Sequence, residues 1–271
     1  MKLFVVSDPH GFYGYLMKAL TKAGFFDALK NNEDCRLVVC GDLLDRGSEA
    51  VALVNFMLDL EKQGKLIYIF GNHEELLDKC LRDIDNGGIY DIACGMSYHY
   101  SNCTWHTLLQ LSKMTELEAY NAPQELIQRV KSSRFYTELL PTAINYYETQ
   151  NYIFVHGWLP YDATFPDCKP IYMTNWREAK ADGWHASRWG NGMELCCKHG
   201  IKEDGKTVVC GHWNASFGHS EFEKKCSEFG ADADHTPFYS DGIIAIDADT
   251  ALSETVNCVV IEDNELSITH Q

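Results

Sequence analysis

Residues 65–77 read KLIYIFGNHEELL, and this stretch carries a strand-like apolar run straight into polar residues. The run ends in glycine, and an amide, an imidazole and a carboxylate follow at once in Asn72, His73 and Glu74. A short apolar run bounded by glycine is typical of a buried strand. Polar residues directly after such a strand indicate a functional loop held on a rigid frame.

Four other strand-like runs end in the same way, with potential metal ligands just past the last apolar position. The motifs are SDPHG at residues 7–11, GDLLDRG at 41–47, HG at 156–157 and GH at 211–212. In open α/β sheets, ligands bind beyond the carboxyl ends of the strands, where loops converge. We therefore expect the five loops to meet in one site.

Short β-branched runs alternate with amphipathic helical segments along the chain, which predicts an α/β fold. Between about residues 76 and 130 the sequence is helical, aromatic and polar without strand signals, so we expect a helical insertion there. No repeat, low-complexity tract or linker-like stretch divides the 271 residues. We therefore expect one domain over residues 1–271.

The composition restricts partners and location. The formal net charge of −16 argues against nucleic acid or an anionic membrane as a partner, so an anionic substrate would need local cations. The eleven cysteines are odd in number and include the adjacent Cys196 and Cys197, so we expect reduced thiols. The N-terminus lacks a signal-peptide pattern and no apolar run approaches ~18 residues, so we expect a soluble cytoplasmic protein.

The residue types at the strand ends suit transition metals. Carboxylate, imidazole and amide oxygen together fit Mn²⁺, Fe or Zn²⁺, whereas Mg²⁺ and Ca²⁺ prefer oxygen ligands alone. Asp8 and His10 can chelate one ion, and Asp42 has two oxygens that could bridge a pair of ions. A second ion could be held by Asn72, His156 and His212. Two ions about 3.5–4 Å apart would clamp a phosphoryl oxygen and deprotonate a water for in-line attack.

The motif order, D-x-H-G, G-D-x-x-D-R-G, G-N-H-E, H-G and G-H, runs from Asp8 to His212. It resembles the calcineurin-like metallophosphoesterases. The D-R-G and G-N-H-E forms look like those of the PPP-type serine/threonine phosphatases and their bacterial and phage relatives. The resemblance implies two facing β-sheets flanked by helices, an αββα sandwich. It also implies two divalent metal ions, for which we expect manganese, with iron and zinc as alternatives.

The resemblance assigns a role to each motif residue. It implies one ion bound by Asp8, His10 and Asp42, and another bound by Asp42, Asn72, His156 and His212. His73 would be the general acid, oriented by Asp45, and a paired imidazole is suited to that task. Arg46 offers a planar fork for phosphate oxygens. The family usually has a second such arginine between H-G and G-H, where we favour Arg188 over Arg177.

These features predict a binuclear metal-dependent phosphatase that works by attack of a metal-bound hydroxide, without a phosphoenzyme. The complete D-R-G and G-N-H-E motifs favour phosphoserine or phosphothreonine proteins as substrates. Phe70, in a position that is basic in many protein phosphatases, weakens the case for a protein substrate, and the HGWLP stretch differs from the forms common in protein phosphatases and in symmetrical dinucleoside tetraphosphate hydrolases alike. We expect phosphoserine or phosphothreonine proteins, with a symmetrical dinucleoside polyphosphate or another small phosphoester as the alternative. A third hypothesis is a metal-binding interaction protein without turnover, but the presence of both His73 and Asp45 speaks against it. Trp213 is a candidate for lining the substrate cleft.

Overall fold

The structure, a computed structural model, describes residues 1–90 and 96–264. Its first sheet has three parallel strands and one antiparallel edge strand. In spatial order these are β11 (Val259–Glu262), β1 (Lys2–Val6), β2 (Cys35–Cys40) and β3 (Leu66–Ile69). Val5 of β1 pairs with Val38 of β2, which pairs with Ile67 of β3. The parallel strands therefore end at one edge.

A second sheet is formed by strands from the C-terminal half of the chain. In spatial order these are β4 (Tyr147–Glu148), β5 (Tyr152–Phe154), β8 (Thr207–Cys210), β10 (Ile243–Ala245) and β9 (Phe238–Ser240). The three central strands are parallel, and both edge strands are antiparallel to their neighbours. A separate hairpin joins β6 (Tyr161–Ala163) and β7 (Pro170–Tyr172).

The two sheets pack face to face through a layer of buried apolar side chains. Successive side chains of a strand point to opposite faces. Val5, Val38 and Ile67 of the first sheet accordingly share one face, which packs against Phe154 and Val209 of the second sheet. Both sheets thus bury one face in the middle of the sandwich, which is the arrangement that the family resemblance implies.

Helices cover the outer faces of the sheets. The first sheet packs against α1 (Tyr13–Ala23), α2 (Phe25–Lys30) and α3 (Ala50–Glu61). The second packs against α9 (Ala181–Arg188) and α10 (Ala215–Gly218), and α11 (Thr250–Ser253) precedes β11. Single helical turns lie at Gly88–Tyr90, Phe135–Leu139, Leu140–Thr142, Trp176–Glu178, Glu194–Lys198 and His219–Glu223. No helix in the two described ranges is long and apolar enough to cross a membrane.

The helical insertion begins earlier than predicted, because its first helix starts at Asn72 inside the G-N-H-E motif. Its helices are α4 (Asn72–Asp85), α5 (Met96–Ser101), α6 (Thr104–Ser112), α7 (Glu116–Asn121) and α8 (Pro123–Lys131). Residues 91–95 lie outside the described part. Trp105 and Leu126 belong to the same buried core as Leu53 of α3. The insertion is therefore an integral part of the first helical layer.

Candidate metal-binding active site

The five motif loops meet at the edge where the parallel strands of both sheets end. The Asp8 amide donates to the Gly41 carbonyl at 3.3 Å, and the Gly211 amide donates to the His156 carbonyl at 2.8 Å. Across the sheets, the His212 amide donates to the Asp8 carboxylate at 3.0 Å. The candidate site therefore spans the seam between the two sheets.

Two glycines allow the loops to approach this closely. A β-carbon on Gly71 would lie 2.3 Å from Asp42 Oδ1, and one on Gly211 would lie 2.1 Å from Asp8 Oδ2. Backbone approach of this kind is open only to glycine. Any side chain at either position would displace the carboxylate that it meets.

The Asp42 carboxylate lies at the centre of the candidate ligands. Its Oδ2 atom is 3.8 Å from Nε2 of both His10 and His73, and its Oδ1 atom is 3.3 Å from His156 Nε2. The potential ligand atoms form two groups, each within 4.8 Å: His10, Asp42 and His73 in one, and Asp42, His156 and His212 in the other. Asp42 belongs to both groups and could therefore contact two cations.

Asp8 presents an unsatisfied oxygen to this cluster. Its Oδ1 atom is buried, accepts no hydrogen bond from the described residues and lies 4.0 Å from His10 Nε2. Burial and the charges of Asp247 and Asp42 raise the pKa of Asp8. A buried carboxylate oxygen without a donor is costly unless a cation compensates it. The Asp8 carboxylate therefore fits a metal ligand.

One of the two side-chain amide atoms of Asn72 faces acceptors only. The amide atom turned toward the cluster lies 3.3 and 3.2 Å from the two Asp42 oxygens, 2.6 Å from His156 Nε2 and 2.9 Å from His212 Nδ1. The amide either donates to these atoms through its nitrogen or, with its oxygen turned inward, joins them around a shared cation. The donor set therefore fits a metal ion with mixed nitrogen and oxygen ligands.

The imidazoles of His10 and His156 turn a lone pair toward the cluster. His10 Nδ1 lies 3.0 Å from the Leu44 carbonyl, and His156 Nδ1 lies 2.8 Å from the Cys40 carbonyl. Because a carbonyl only accepts, each Nδ1 carries the proton and each Nε2 is free to bind a metal, as is usual for ligating histidines. Burial lowers the pKa of both rings and favours this neutral form.

His212 lies between two indole rings at the mouth of the site. Burial, followed by the nearby His156, lowers its pKa to about 3. The ring centroids of Trp189 and Trp213 lie 5.8 and 6.1 Å from that of His212, in edge-on arrangements. The two tryptophans remain 37% and 38% exposed, so aromatic surface next to this candidate ligand is open to solvent.

His73 is paired with a carboxylate on the side away from the cluster. Its Nδ1 atom donates to Asp45 Oδ2 at 2.7 Å, and both side chains are buried. Burial alone would lower the pKa of His73, but the carboxylates of Asp42 and Asp45 outweigh it and raise the pKa. The protonated ring is thus favoured, with Nε2 directed at the cluster.

The candidate arginines differ in their surroundings. Arg46 is exposed and forms no ion pair within residues 1–90 and 96–264, so its guanidinium is open to an anion. Arg188 is largely buried beside Phe70 and lies near enough to His156 to lower the pKa of that ring. Phe70 occupies a position that is basic in many protein phosphatases, and here its ring packs against the Arg188 guanidinium.

Arg177 lies in a network of carboxylates that includes no candidate metal ligand. It donates to both Glu148 oxygens at 2.9 and 2.7 Å and to Glu203 at 2.8 Å. Its guanidinium also lies 4.3 Å above the Trp176 ring. Both arginines thus have carboxylate partners, but Arg188 also lies close enough to the candidate ligand His156 to lower its pKa, which makes Arg188 the better candidate for phosphate.

Glu74 ties two motif loops together, a role that sequence reasoning left open. Its carboxylate accepts from the amides of Gly71 at 2.7 Å, Leu43 at 3.0 Å and Asp42 at 3.2 Å. Burial, followed by the Asp42 charge, raises the pKa of Glu74 to about 7. Because Gly71 at the N-cap has no side chain, Glu74 makes only the half of a capping box that the third helical residue supplies, and the structure adds its bonds to the loop after β2.

Comparison with protein families identifies the chain. The model of the calcineurin-like phosphoesterases matches residues 1–235, which include all five motif loops. The chain belongs to this family. The predicted family and fold are confirmed.

Curated relatives match the phosphoesterase over a shorter stretch. The bis(5'-nucleosyl)-tetraphosphatases PrpE [asymmetrical] of Bacillus velezensis and Bacillus subtilis are both 32% identical to it, over 81 and 83 residues. Each match covers 29% of this chain, and the chain spans about a third of the relatives' length, 32% and 33%.

Solved structures of two phosphatases are similar to this chain at low sequence identity. A cold-active protein-tyrosine phosphatase of a psychrophilic Shewanella species is 16% identical, with a TM-score of 0.48, over 97% of this chain and 76% of that one. A protein serine/threonine phosphatase from Saccharomyces cerevisiae is 15% identical, with a TM-score of 0.37, over 79% and 62%.

Proposed function

We propose that this calcineurin-like phosphoesterase binds two divalent metal ions and hydrolyses phosphate esters with them. Asp8, His10 and Asp42 would hold one ion, and Asp42, Asn72, His156 and His212 would hold the other. The observation that carries the proposal is that Asp42 belongs to two groups of potential ligands. Asp8 joins His10 in the first through its unpartnered Oδ1, and His73 in that group is reserved as proton donor by its bond to Asp45. Mixed nitrogen and oxygen donors favour Mn²⁺, Fe or Zn²⁺. Such ions polarise a phosphoryl oxygen and lower the pKa of a bound water.

In this proposal His73 donates the proton to the leaving group. Its pairing with Asp45 at 2.7 Å supports the role, since the carboxylate favours the protonated ring and fixes its direction. Arg46 and Arg188 would bind phosphate oxygens. We expect His73→Asn to lose about 10²–10⁴ in turnover of phenyl phosphate while it retains its metal ions. Unchanged turnover would contradict the assignment.

For the substrate, we favour a dinucleoside polyphosphate, in which the bond to be broken is a phosphoanhydride, or a nucleotide phosphoester. The half-exposed indoles of Trp189 and Trp213 beside His212 support this choice, because stacking of a base on an aromatic side chain contributes about 1–3 kcal/mol. The nucleosyl tetraphosphatase names of the Bacillus relatives agree with it, although they match only part of the chain. The D-R-G and G-N-H-E motifs make phosphoserine and phosphothreonine peptides the second candidate.

A substrate panel separates the two candidates. The Mn²⁺-loaded protein is tested on diadenosine tetraphosphate, on phosphoserine and phosphothreonine peptides and on p-nitrophenyl phosphate. We expect kcat/KM for the dinucleotide to lead by about tenfold or more, which corresponds to about 1.4 kcal/mol of transition-state binding. A comparable lead for the peptides would establish the second candidate. No hydrolysis of any of these esters would contradict the proposed function and favour a binding role.

A further inference from the structure

One face of α6 contacts the loop that carries Asp45. Its polar residues Thr104, Thr107 and Gln110 are spaced three apart, which brings them to one side of the helix. Thr104 Oγ1 donates to Asp45 Oδ2 at 2.8 Å, and the Asp45 amide donates to Thr107 Oγ1 at 3.1 Å. Both threonines are fully buried. The helical insertion thus forms hydrogen bonds with both the backbone amide and the side-chain carboxylate of Asp45.

The same helix, α6, also contacts the D-R-G loop where the backbone of that loop is strained. Asp45 and Arg46 have φ values of +74° and +61°, a conformation that costs about 1–3 kcal/mol per non-glycine residue and persists only under enforcing contacts. Gln110 supplies two such contacts. Its Nε2 atom donates to the Gly47 carbonyl at 3.0 Å, and its Oε1 atom accepts from the Ala50 amide at 2.9 Å. The conformation of the D-R-G loop therefore depends on α6.

One carboxylate oxygen of Asp45 accepts hydrogen bonds from both His73 and Thr104. Asp45 Oδ2 accepts from His73 Nδ1 at 2.7 Å and from Thr104 Oγ1 at 2.8 Å. The other oxygen, Oδ1, is buried and has no donor in the part of the chain that the structure describes. The hydroxyl of Thr104 therefore helps to set the rotation of the carboxylate, and this rotation sets the direction of the His73 ring.

We propose that Thr104 is a positioning residue that aligns the His73–Asp45 pair for proton transfer. The proposal rests on the proposed role of His73. Because a hydrogen-bonded carboxylate turns only at the cost of both bonds, Thr104 keeps His73 Nε2 aimed at the centre of the cluster, where it lies 3.8 Å from Asp42 Oδ2. Misplacement of a catalytic group by a small distance lowers the rate even when no contact to substrate is lost.

The test uses the Mn²⁺-loaded full chain and two aryl esters. Phenyl phosphate has a poor leaving group that needs a proton, and 2,4-dinitrophenyl phosphate has a good one that does not. We expect Thr104→Val to lower kcat for phenyl phosphate about tenfold or more, to leave dinitrophenyl phosphate within about threefold, and to keep KM for both. Thr104→Ser, which restores the hydroxyl, should recover most of the loss.

A double-mutant cycle separates positioning from a structural role. In the His73→Asn background, Thr104→Val should cause no further loss with phenyl phosphate, because Thr104 acts through His73. Additive losses, or equal losses on both esters, would overturn the positioning role. If the unsubstituted protein hydrolyses neither ester, the proposed function itself fails and the Thr104 role fails with it. If His73→Asn loses equally on both esters, the acid role of His73 fails, and the role of Thr104 with it.

Folding is monitored in parallel. Thr104→Ala is made alongside Thr104→Val, so that a folded variant without the hydroxyl is obtained even if valine packs poorly, and the same dependence on leaving group is expected. Thr137→Val is the matched control, since within residues 1–90 and 96–264 the Thr137 hydroxyl donates to the Ser133 carbonyl and to no other group. This control should keep the rates of both esters. A loss with Thr137→Val equal to that with Thr104→Val would also overturn the proposal.

Discussion

Arg188 donates to one oxygen of Glu75, from Nε at 2.8 Å and also from Nη2. Its Nη1 atom donates to Asn145 at 3.0 Å, and its guanidinium lies 5.0 Å from the centre of the Phe70 ring. The side chain is therefore fixed in direction by three neighbours. A phosphate in the site would share this guanidinium with Glu75, so Glu75 both orients the cation and competes for it.

We expect Arg188→Lys to raise KM for p-nitrophenyl phosphate and to lower kcat/KM about tenfold or more, because lysine cannot reproduce the planar fork. The matched control is Arg177→Lys, which removes the fork from a guanidinium bound to Glu148 and Glu203. It should lower the thermal midpoint and leave KM unchanged. Steady-state kinetics and thermal denaturation of both variants check this. The reverse pattern would assign phosphate binding to Arg177.

Asp42→Asn should deplete both metal positions, since this carboxylate belongs to both ligand groups. Elemental analysis should find about two metal ions per wild-type chain and far fewer in the variant, with hydrolysis of p-nitrophenyl phosphate largely lost. Chelation should abolish wild-type activity and Mn²⁺ should restore it. Asp59→Asn, at an exposed position of α3, is the control and should keep both ions. Full activity in excess chelator would rule out the metal-dependent mechanism.

Trp213→Ala should weaken binding of a nucleotide substrate selectively. Loss of one stacking surface costs about 1–3 kcal/mol, so KM for diadenosine tetraphosphate should rise about 5- to 150-fold, while KM for phenyl phosphate stays the same. Phe165→Ala, which removes an almost fully exposed aromatic ring after β6, serves as the control. An equal rise in KM for both esters would place Trp213 in general site structure instead of base recognition.

The Arg177 network should make stability depend on pH. Burial alone would raise the pKa of Glu148 and Glu203, but hydrogen bonds, in which Arg177 takes part at both carboxylates, hold the pKa values below the ordinary 4.5. Carboxyl groups of this kind stabilise the fold above their unfolded-state pKa, and the stabilisation is lost as pH falls below it. The free energy of unfolding should therefore decrease as pH falls through about 4.5.

Urea unfolding measures this dependence. Glu148→Gln should lose about 1–3 kcal/mol at about pH 7, and the difference from wild type should shrink at about pH 4. Glu221→Gln, which removes only an exposed partner of Lys224, should behave like wild type at both values. A difference that grows toward acid pH would contradict the assigned direction of the pKa shifts.

The ligand loops could be predicted from the sequence because a single physical rule governs them. Parallel strands end at one edge, so polar residues directly after apolar runs are expected to converge there. The same rule predicted Asp8, Asp42 and His156 at one place, and the structure brings them together. Their order along the chain also carries the family resemblance, which the family match confirms.

Other parts of the site have no such local signal. The partners of Arg188 and Arg177 come from distant segments, so the sequence favoured Arg188 without showing which groups either guanidinium contacts. Thr104 lies in an ordinary amphipathic helix, where a buried hydroxyl has no sequence signature. The start of α4 at Asn72 has a weak local signal because Asn and His are weak helix formers, and the bond from the Gly71 amide to the Glu74 carboxylate stabilises this helix end.

The position of the site across the seam gives metal binding a mechanical consequence. Asp8, His10, Asp42 and Asn72 follow strands of one sheet, whereas His156 and His212 follow strands of the other. An ion held by both sets of ligands would cross-link the two sheets, and its binding free energy would add to the stability of their packing. Conversely, a substitution deep in the apolar layer, such as Val209→Ala, would shift one half of the coordination shell against the other. The affinity of the protein for metal ions would thus change when the packing between the sheets is altered, even at positions far from the site where phosphate would react.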